Sequence, residues 1–558
     1  MPQLCIIPLH GNCAQGGLYD SVAIFGQGGR MKTLLIRPGI HIMEKNFKGP
    51  WPPDLNYLQK VYTDYSSLFR GLFEFQSFCQ SSTLSVGSTL KKMGEDVKYL
   101  DVPFEFGVPL TEKSATQIYA GITDYIQRGD YDVVGISCTG LLEGIPTKKI
   151  AEITKRVLPD TVVMVGGYQA ASEAHDFMEK IPAIDILVQS DFELIAHELY
   201  CTFEGSFNIN NIPNILYRHK DTVHATRRSR TRLKPDHLPQ YDYSLVAPYI
   251  PEYSLFVMET SRGCLYNCSF CQEKVVRTWY TAKDPEKAAD EMVTTAAYIA
   301  DKTTPVVFYF CDPLWGAHPP WVQKFCTYLI HKTHRTPNFQ WVCEARVGQF
   351  THEELALMKQ SGCITIGYGV ESLSPKMLTI MNKTKTPSQY IDSVVTTVEK
   401  TLANNIHTVL LFILGMPGET PSTLQETLTS IKNLPLTHEK LHIKFGLPDI
   451  LPGTTLDAAV HNPHYAEQLG VVIHEENTWQ KAYIPRFTLL FDPSHTLSAA
   501  DMTDTFLNLM HGKDSVTASF GKQLEKFPSI QKIIDKGIIS PADLADLGKI
   551  YRKAVTGI

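Results

Sequence analysis

The chain has 558 residues, 43% of them hydrophobic and 20% charged, and a formal net charge of −6. That length predicts two or three domains rather than one core, and the mild acidity gives no global field for nucleic acid or an anionic membrane. No apolar run reaches the length of a bilayer span, and twelve cysteines in a chain this long do not make a disulfide scaffold.

Residues 1–30 read as an N-terminal extension without an assigned role. The first 29 lack the basic-then-apolar order of a secretory signal; the mostly scattered cysteines make a reducing cytoplasm the expected compartment. Residues 31–218 alternate short apolar runs with amphipathic stretches. Strands are predicted at 31–39, 98–102, 131–137, 161–167 and 185–189, with helices at 147–157 and 171–180. Such alternation predicts an α/β, doubly wound parallel sheet with ligands at the strand carboxyl ends. Gly135, Gly140, Gly166 and Gly167 fall at or near those ends, where glycine admits close approach of a bulky ligand.

Residues 219–254 form a linker by composition, basic at Arg227, Arg228, Arg230 and Arg232, then rich in Pro and Tyr. The arginine run reads as a solvated face. Residues 255–460 resume the alternation. Strands are predicted at 255–260, 305–311, 339–342, 364–370, 408–414 and 442–445, with helices at 284–300, 351–361 and 387–403. This repeat predicts a full or partial parallel (β/α) barrel. Residues 461–558 read as a mainly helical C-terminal region, with amphipathic helices at 495–512 and 540–554.

Only one group of cysteines is tightly spaced: Cys264, Cys268 and Cys271, on a loop directly after the first predicted strand of the second series. Three thiolates hold three irons of a four-iron cluster and leave the fourth iron open, which a catalytic site requires. Structural zinc fits less well, because zinc sites usually pair two short Cys-x-x-Cys hairpins and no second hairpin exists here.

The Cys264–Cys268–Cys271 spacing, with aromatic Phe270 before the last cysteine, resembles the signature of the radical S-adenosylmethionine superfamily. Five further segments resemble that family in order, carrying Asp312; Glu344 and Arg346; Glu371 and Ser372; Gly415; and Gly453. The resemblance implies a [4Fe-4S] cluster on the three cysteines and S-adenosyl-L-methionine chelated to the open iron. Phe270, Asp312, Glu344, Arg346, Glu371, Ser372 and Gly415 would contact that ligand, with Arg346 forked on its carboxylate. The preceding domain resembles a cobalamin-binding domain through Ser137, Cys138, Thr139, Gly140, Gly166, Gly167, Tyr168, Gln169 and Ser190. Two departures stand out. No Asp-x-His-x-x-Gly motif follows the first strand; His41 stands nearby without it. The turn after the last strand reads Gln189-Ser190-Asp191-Phe192-Glu193 instead of a Gly-Glu-Gly-Glu-like sequence.

The resemblance implies a cobalamin-dependent radical methyltransferase acting on an unactivated carbon of a small molecule, with flavodoxin or ferredoxin as low-potential electron donor. Two alternatives are a radical cyclase or oxidative rearrangement enzyme that keeps both cofactors, and a non-catalytic cobalamin or iron–sulfur sensor or assembly protein.

Overall fold

The structure is a computed structural model that describes residues 30–39, 79–107, 112–334, 337–475, 478–481 and 489–511. The extension before residue 30, His41, and the helix expected at 540–554 lie outside the described residues.

The first half is a seven-stranded sheet. Its strands are β1 Lys32–Arg37, β2 Asp96–Asp101, β3 Val133–Ser137, β4 Val162–Gly166, β5 Ile186–Val188, β6 Ile215–His219 and β7 Thr222–Ala225, in the order β2-β1-β3-β4-β5-β6-β7. The first five are parallel; β6 and β7 add antiparallel strands at one edge. β1, β4 and β5 are buried almost throughout because both faces are covered. One face packs on a core holding Ile36, Val134, Val163 and Phe177, the other on a core holding Leu35, Val133, Met164 and Leu199. β6 and β7 depart from the five-strand expectation, and β7 falls in the stretch read as a linker.

The second half is a six-stranded, all-parallel sheet of β8 Phe256–Met258, β11 Val306–Phe310, β12 Phe339–Arg346, β13 Cys363–Glu371, β14 His407–Ile413 and β15 Leu441–Gly446. Neighbours follow the sequence order. A two-stranded ribbon, β9 Ser261–Gly263 with β10 Tyr280–Ala282, projects from the end of β8. Among the described residues β8 and β15 do not pair, so the sheet is an open arc rather than a closed barrel. The intervening helices begin where the sequence marks them: Pro285, Pro319, Pro375, Pro387 and Pro421 each occupy the first helical turn. There the missing N–H costs nothing.

Burial along β12 alternates strictly. Phe339, Trp341, Cys343 and Ala345 are buried against helices, whereas Gln340, Val342, Glu344 and Arg346 keep accessible surface. Parallel sheets normally have both faces covered. A face carrying Tyr309, Glu344, Arg346 and Lys444 is therefore a chamber wall.

The stretch between the halves differs from a solvated linker. Arg227, Arg228, Arg230 and Arg232 are exposed, as expected, but Tyr243, Tyr249 and Tyr253 are buried in the core of the second half. Tyr253 donates to Asp101 at 2.9 Å, Tyr249 to Glu105 at 3.1 Å, and Tyr243 to the Val257 carbonyl at 2.7 Å. These hydroxyls tie the end of β2 to β8. The chain also returns to the first half late. Trp479 inserts into its core, 4.7 Å from the Phe177 ring, and donates to Asp176 at 2.8 Å. Gly144 makes room for it, since a Cβ there would lie 2.6 Å from Trp479 Cβ. Within the region expected to be helical, residues 499–511 form a helix, while 472–473 and 491–492 pair as short strands. Replacing Trp479 with Ala is expected to destabilise the first half by about 3–5 kcal/mol, read as a lower denaturant midpoint by tryptophan-independent circular dichroism.

Candidate functional site

The carboxyl ends of β1, β3, β4 and β5 open into a cavity between the two halves. Such ends are where doubly wound sheets take ligands. One wall comes from the first half: Ser82, Ser137, Thr139, Gly166, Gly167, Tyr168, Ser190, Asp191 and Glu193. The opposite wall comes from the second half: Tyr241, Glu259, Arg262, Arg277, Cys311 and Pro313.

Six of the nine residues expected around cobalamin line this cavity: Ser137, Thr139, Gly166, Gly167, Tyr168 and Ser190. Three do not. Cys138 is fully buried in the sheet core, and Gln169 is buried and donates to Glu173. Gly140 shapes the loop by donating to Glu143 at 3.1 Å. The Thr139 hydroxyl is itself bound to Glu143 at 2.9 Å and receives Gln80 at 2.8 Å. Ser137 meets Ser82 at 3.0 Å. Gly167 has φ +109, and a Cβ would sit 2.3 Å from the Cys138 carbonyl oxygen, so only glycine fits.

The cavity fits a large, polar-edged cofactor on two observations. Gly166 leaves its floor clear, the nearest atom to a Cβ there being 3.8 Å away. The buried Ser190 hydroxyl has no hydrogen-bond partner, a state native proteins rarely leave uncompensated.

The cysteine loop starts from the β9–β10 ribbon. Gly263, at φ +82, turns it; a Cβ there would lie 1.6 Å from the Trp279 carbonyl oxygen. The loop is held from three sides. Ser269 donates its N–H to Met381 at 2.9 Å, Asn382 donates to Asn267 at 2.6 Å, and Leu456 donates to Ser269 at 2.8 Å. Lys274 donates to the Cys264 carbonyl. Burial pushes the thiols of Cys264 and Cys271 up, Cys271 to about 11, with the neighbouring Cys268 contributing to both. The three sulfurs therefore share one electrostatic neighbourhood. Among the described residues no three His, Cys, Asp or Glu side chains are grouped to hold a single metal ion. A multi-iron cluster spreads its thiolates over separate irons and does not need that grouping. The donor set of three cysteines on one loop fits it.

The seven residues expected at S-adenosylmethionine divide into two sets. Arg346 and Glu344 face the open side of β12. The Arg346 guanidinium lies 3.9 Å from the Tyr266 ring centre and 5.4 Å from that of Tyr390. No acid pairs with it among the described residues. Glu344 receives the Tyr309 hydroxyl at 3.2 Å; enclosure by protein pushes its carboxyl above the usual range, partly offset by Tyr309 and Lys444. Phe270 packs half-buried against the core. Glu371, at φ +68, pairs with Lys383 at 2.8 Å. Gly369 makes this possible, since a Cβ there would lie 2.6 Å from Glu371 Oε1.

Asp312, Ser372 and Gly415 serve the scaffold instead. Asp312 is buried and accepts from Thr260 N–H at 3.1 Å, Thr260 Oγ1 at 2.8 Å and Ser261 Oγ at 2.5 Å, fastening the turn that leads to the cysteines. Ser372 is buried against Thr427 at 2.9 Å. The side of Gly415 where a Cβ would stand is taken by Leu489, 2.7 Å away, and by Met502.

Against this geometry, residues 258–431 match the radical SAM superfamily and residues 82–199 match the B12 binding domain. This pairing of domains is the architecture of the cobalamin-binding radical SAM family. The chain is similar to an uncharacterized methyltransferase of Pyrococcus horikoshii, 25% identical over 61% of this chain and 71% of that protein. It is also similar to the anaerobic magnesium-protoporphyrin IX monomethyl ester cyclase of Rubrivivax gelatinosus, 27% identical over 53% of each; the chain thus spans about half the length of that cyclase. Its fold is that of the radical S-adenosylmethionine methyltransferase TsrM from Kitasatospora setae, at TM-score 0.58 and 15% identity, covering 92% of this chain and 90% of that one. The cobalamin-dependent radical enzyme OxsB aligns at TM-score 0.54 and 16% identity, covering 79% and 56%. Among the described residues no helix is long and apolar enough to cross a membrane.

Sequence reading missed Arg262, Arg277, Tyr241 and Cys311 as cavity residues. Only the position of Arg262, two residues before Cys264, hinted at the first.

Two predictions follow from single side chains. Ser190→Ala removes a buried hydroxyl without a partner and is expected to raise the stability of the cofactor-free chain by about 1–3 kcal/mol while weakening cobalamin binding. Thermal melting and a visible-absorbance titration give the two opposite signs. Asp312 is pushed by burial from 3.8 to about 7. Folded Asp312 keeps its proton where the unfolded residue has lost it, so stability falls as pH rises from 3.8 to about 7. Asp312→Asn is expected to flatten that stretch of the stability–pH curve.

Proposed function

We propose that the chain is a cobalamin-dependent radical S-adenosylmethionine enzyme that methylates an unactivated carbon of a small molecule. The observation that carries this reading is the cavity shared by the two halves. Its floor is the Gly166–Gly167 edge of the first sheet, and its roof includes Glu259 and Arg262, which lead into the cysteine loop. A corrin on that floor would face the loop that would hold the cluster.

When bound, the cluster with S-adenosylmethionine supplies a 5′-deoxyadenosyl radical for hydrogen abstraction, and methylcobalamin supplies the methyl group. The chain provides placement and dryness. Cys264, Cys268 and Cys271 would ligate three irons. Arg346, beside the rings of Tyr266 and Tyr390, presents its fork to a carboxylate. Gly167 lets backbone approach the corrin, and Ser190 offers a hydroxyl to its periphery. The open face of β12 receives the substrate. A low-potential donor of the flavodoxin or ferredoxin class delivers the electron. The names of the Pyrococcus horikoshii relative and of TsrM, both methyltransferases, support methyl transfer.

The similarity to anaerobic cyclases favours a second reading in which the same cofactors close a ring without methylation. The two separate without knowledge of the substrate. The anaerobically reconstituted chain, given reductant, hydroxocobalamin and methyl-labelled S-adenosylmethionine, is expected to form labelled methylcobalamin and 5′-deoxyadenosine. Deoxyadenosine without labelled methylcobalamin decides for ring formation, and neither product decides for a non-catalytic role. Replacing Cys264, Cys268 and Cys271 with Ala is expected to abolish iron retention and deoxyadenosine formation together.

A further inference from the structure

Both ends of the cysteine loop cross the seam between the two halves, and both end on the same carboxylate. Upstream, Arg262 donates to Asp191 Oδ1 at 3.0 Å, to Glu193 Oε1 at 2.8 Å and to Ser85 at 3.1 Å, while its Nε meets Glu259 at 2.9 Å. Downstream, Arg277 donates to the same Asp191 oxygen at 2.6 Å and 3.0 Å, and to Tyr168, whose hydroxyl donates to Glu273 at 2.6 Å. Asp191 and Arg262 have side-chain exposures of 3% and 4%, so these bonds are shielded from water and salt. Asp191, Glu193 and Tyr168 also line the cavity proposed for cobalamin.

We propose that Asp191 is a positioning residue that couples the two cofactor sites, so that a corrin in the cavity and a cluster on the loop each favour binding of the other. This rests on the cofactor reading above. The physical reason is that one carboxylate fixes two guanidinium groups, one on each flank of residues 264–271. A loop held in its cluster-binding shape presents Arg262 and Arg277 to Asp191, and Asp191 so held fixes the Ser190–Glu193 edge of the cavity. A loop without its cluster loses part of that constraint. Coupling between two sites is reciprocal by thermodynamic necessity.

The test titrates hydroxocobalamin, followed by visible absorbance, into the anaerobically reconstituted full chain and into the Cys264→Ala/Cys268→Ala/Cys271→Ala chain. The cluster is expected to tighten cobalamin binding about tenfold. In the Asp191→Asn background the same ratio is expected to fall to about one. Arg277→Gln, which removes one clasp from the less buried side, should lower the ratio, and Arg277→Lys, which keeps the charge, should restore most of it; this pair decides if Asp191→Asn does not fold. A ratio near one in the unaltered chain with both cofactors bound overturns the coupling alone, as does an undiminished ratio in the variants. Failure of the unaltered chain to bind cobalamin overturns the functional reading and this proposal with it.

Discussion

Two guanidinium groups buried at the seam, Arg262 and Arg277, constrain everything around them. A charge taken out of water must be paired and hydrogen-bonded. Here the acceptors come from the opposite half of the molecule: Asp191, Glu193 and Ser85 for Arg262, Asp191 and Tyr168 for Arg277. Burial by itself would push Glu193 up, but Arg262 overrides it and holds the carboxyl below its ordinary range. Sliding one half against the other would strand these charges at a cost of several kcal/mol each. The carboxyl ends of the first sheet are thereby pinned opposite the cysteine loop.

The interactions that set the overall architecture are local or periodic, and so they were legible. Short apolar runs gave the parallel strands, and amphipathic stretches between them gave the helices at 284–300, 351–361 and 387–403. The three cysteines stand within eight residues, so their common loop needed no tertiary information. Side-chain roles that depend on distant partners were not legible. Asp312 is a ligand contact by the resemblance, yet its oxygens are occupied by Thr260 and Ser261, some fifty residues earlier. Gly415 is a ligand contact by the resemblance, yet Leu489 and Met502 lie against the side where its Cβ would stand. The tyrosines after residue 240 read as a polar linker because their hydroxyl partners, Asp101, Glu105 and the Val257 carbonyl, cannot be inferred from composition.

The unusual turn after β5 gains a physical account from the same seam. Where a glycine-rich turn was the expectation, Ser190, Asp191 and Glu193 stand instead. Asp191 and Glu193 are spent on Arg262, leaving only Ser190 with an unmet hydrogen bond at the cavity. The departure therefore trades backbone flexibility for a fixed charge contact with the second half, without closing the cavity.

The arginines at the two ends of this system show how partners divide structure from chemistry. Arg262 has three acidic neighbours and no capacity left for a ligand. Arg346 lies on the open face of β12 near the rings of Tyr266 and Tyr390 and meets no acid among the described residues. Aromatic stacking fixes the plane of a guanidinium while leaving its donors unspent. The fold thus neutralises Arg262 and Arg277 at the seam, while Arg346, beside Tyr266 of the cysteine loop, keeps its donors free of acidic partners among the described residues.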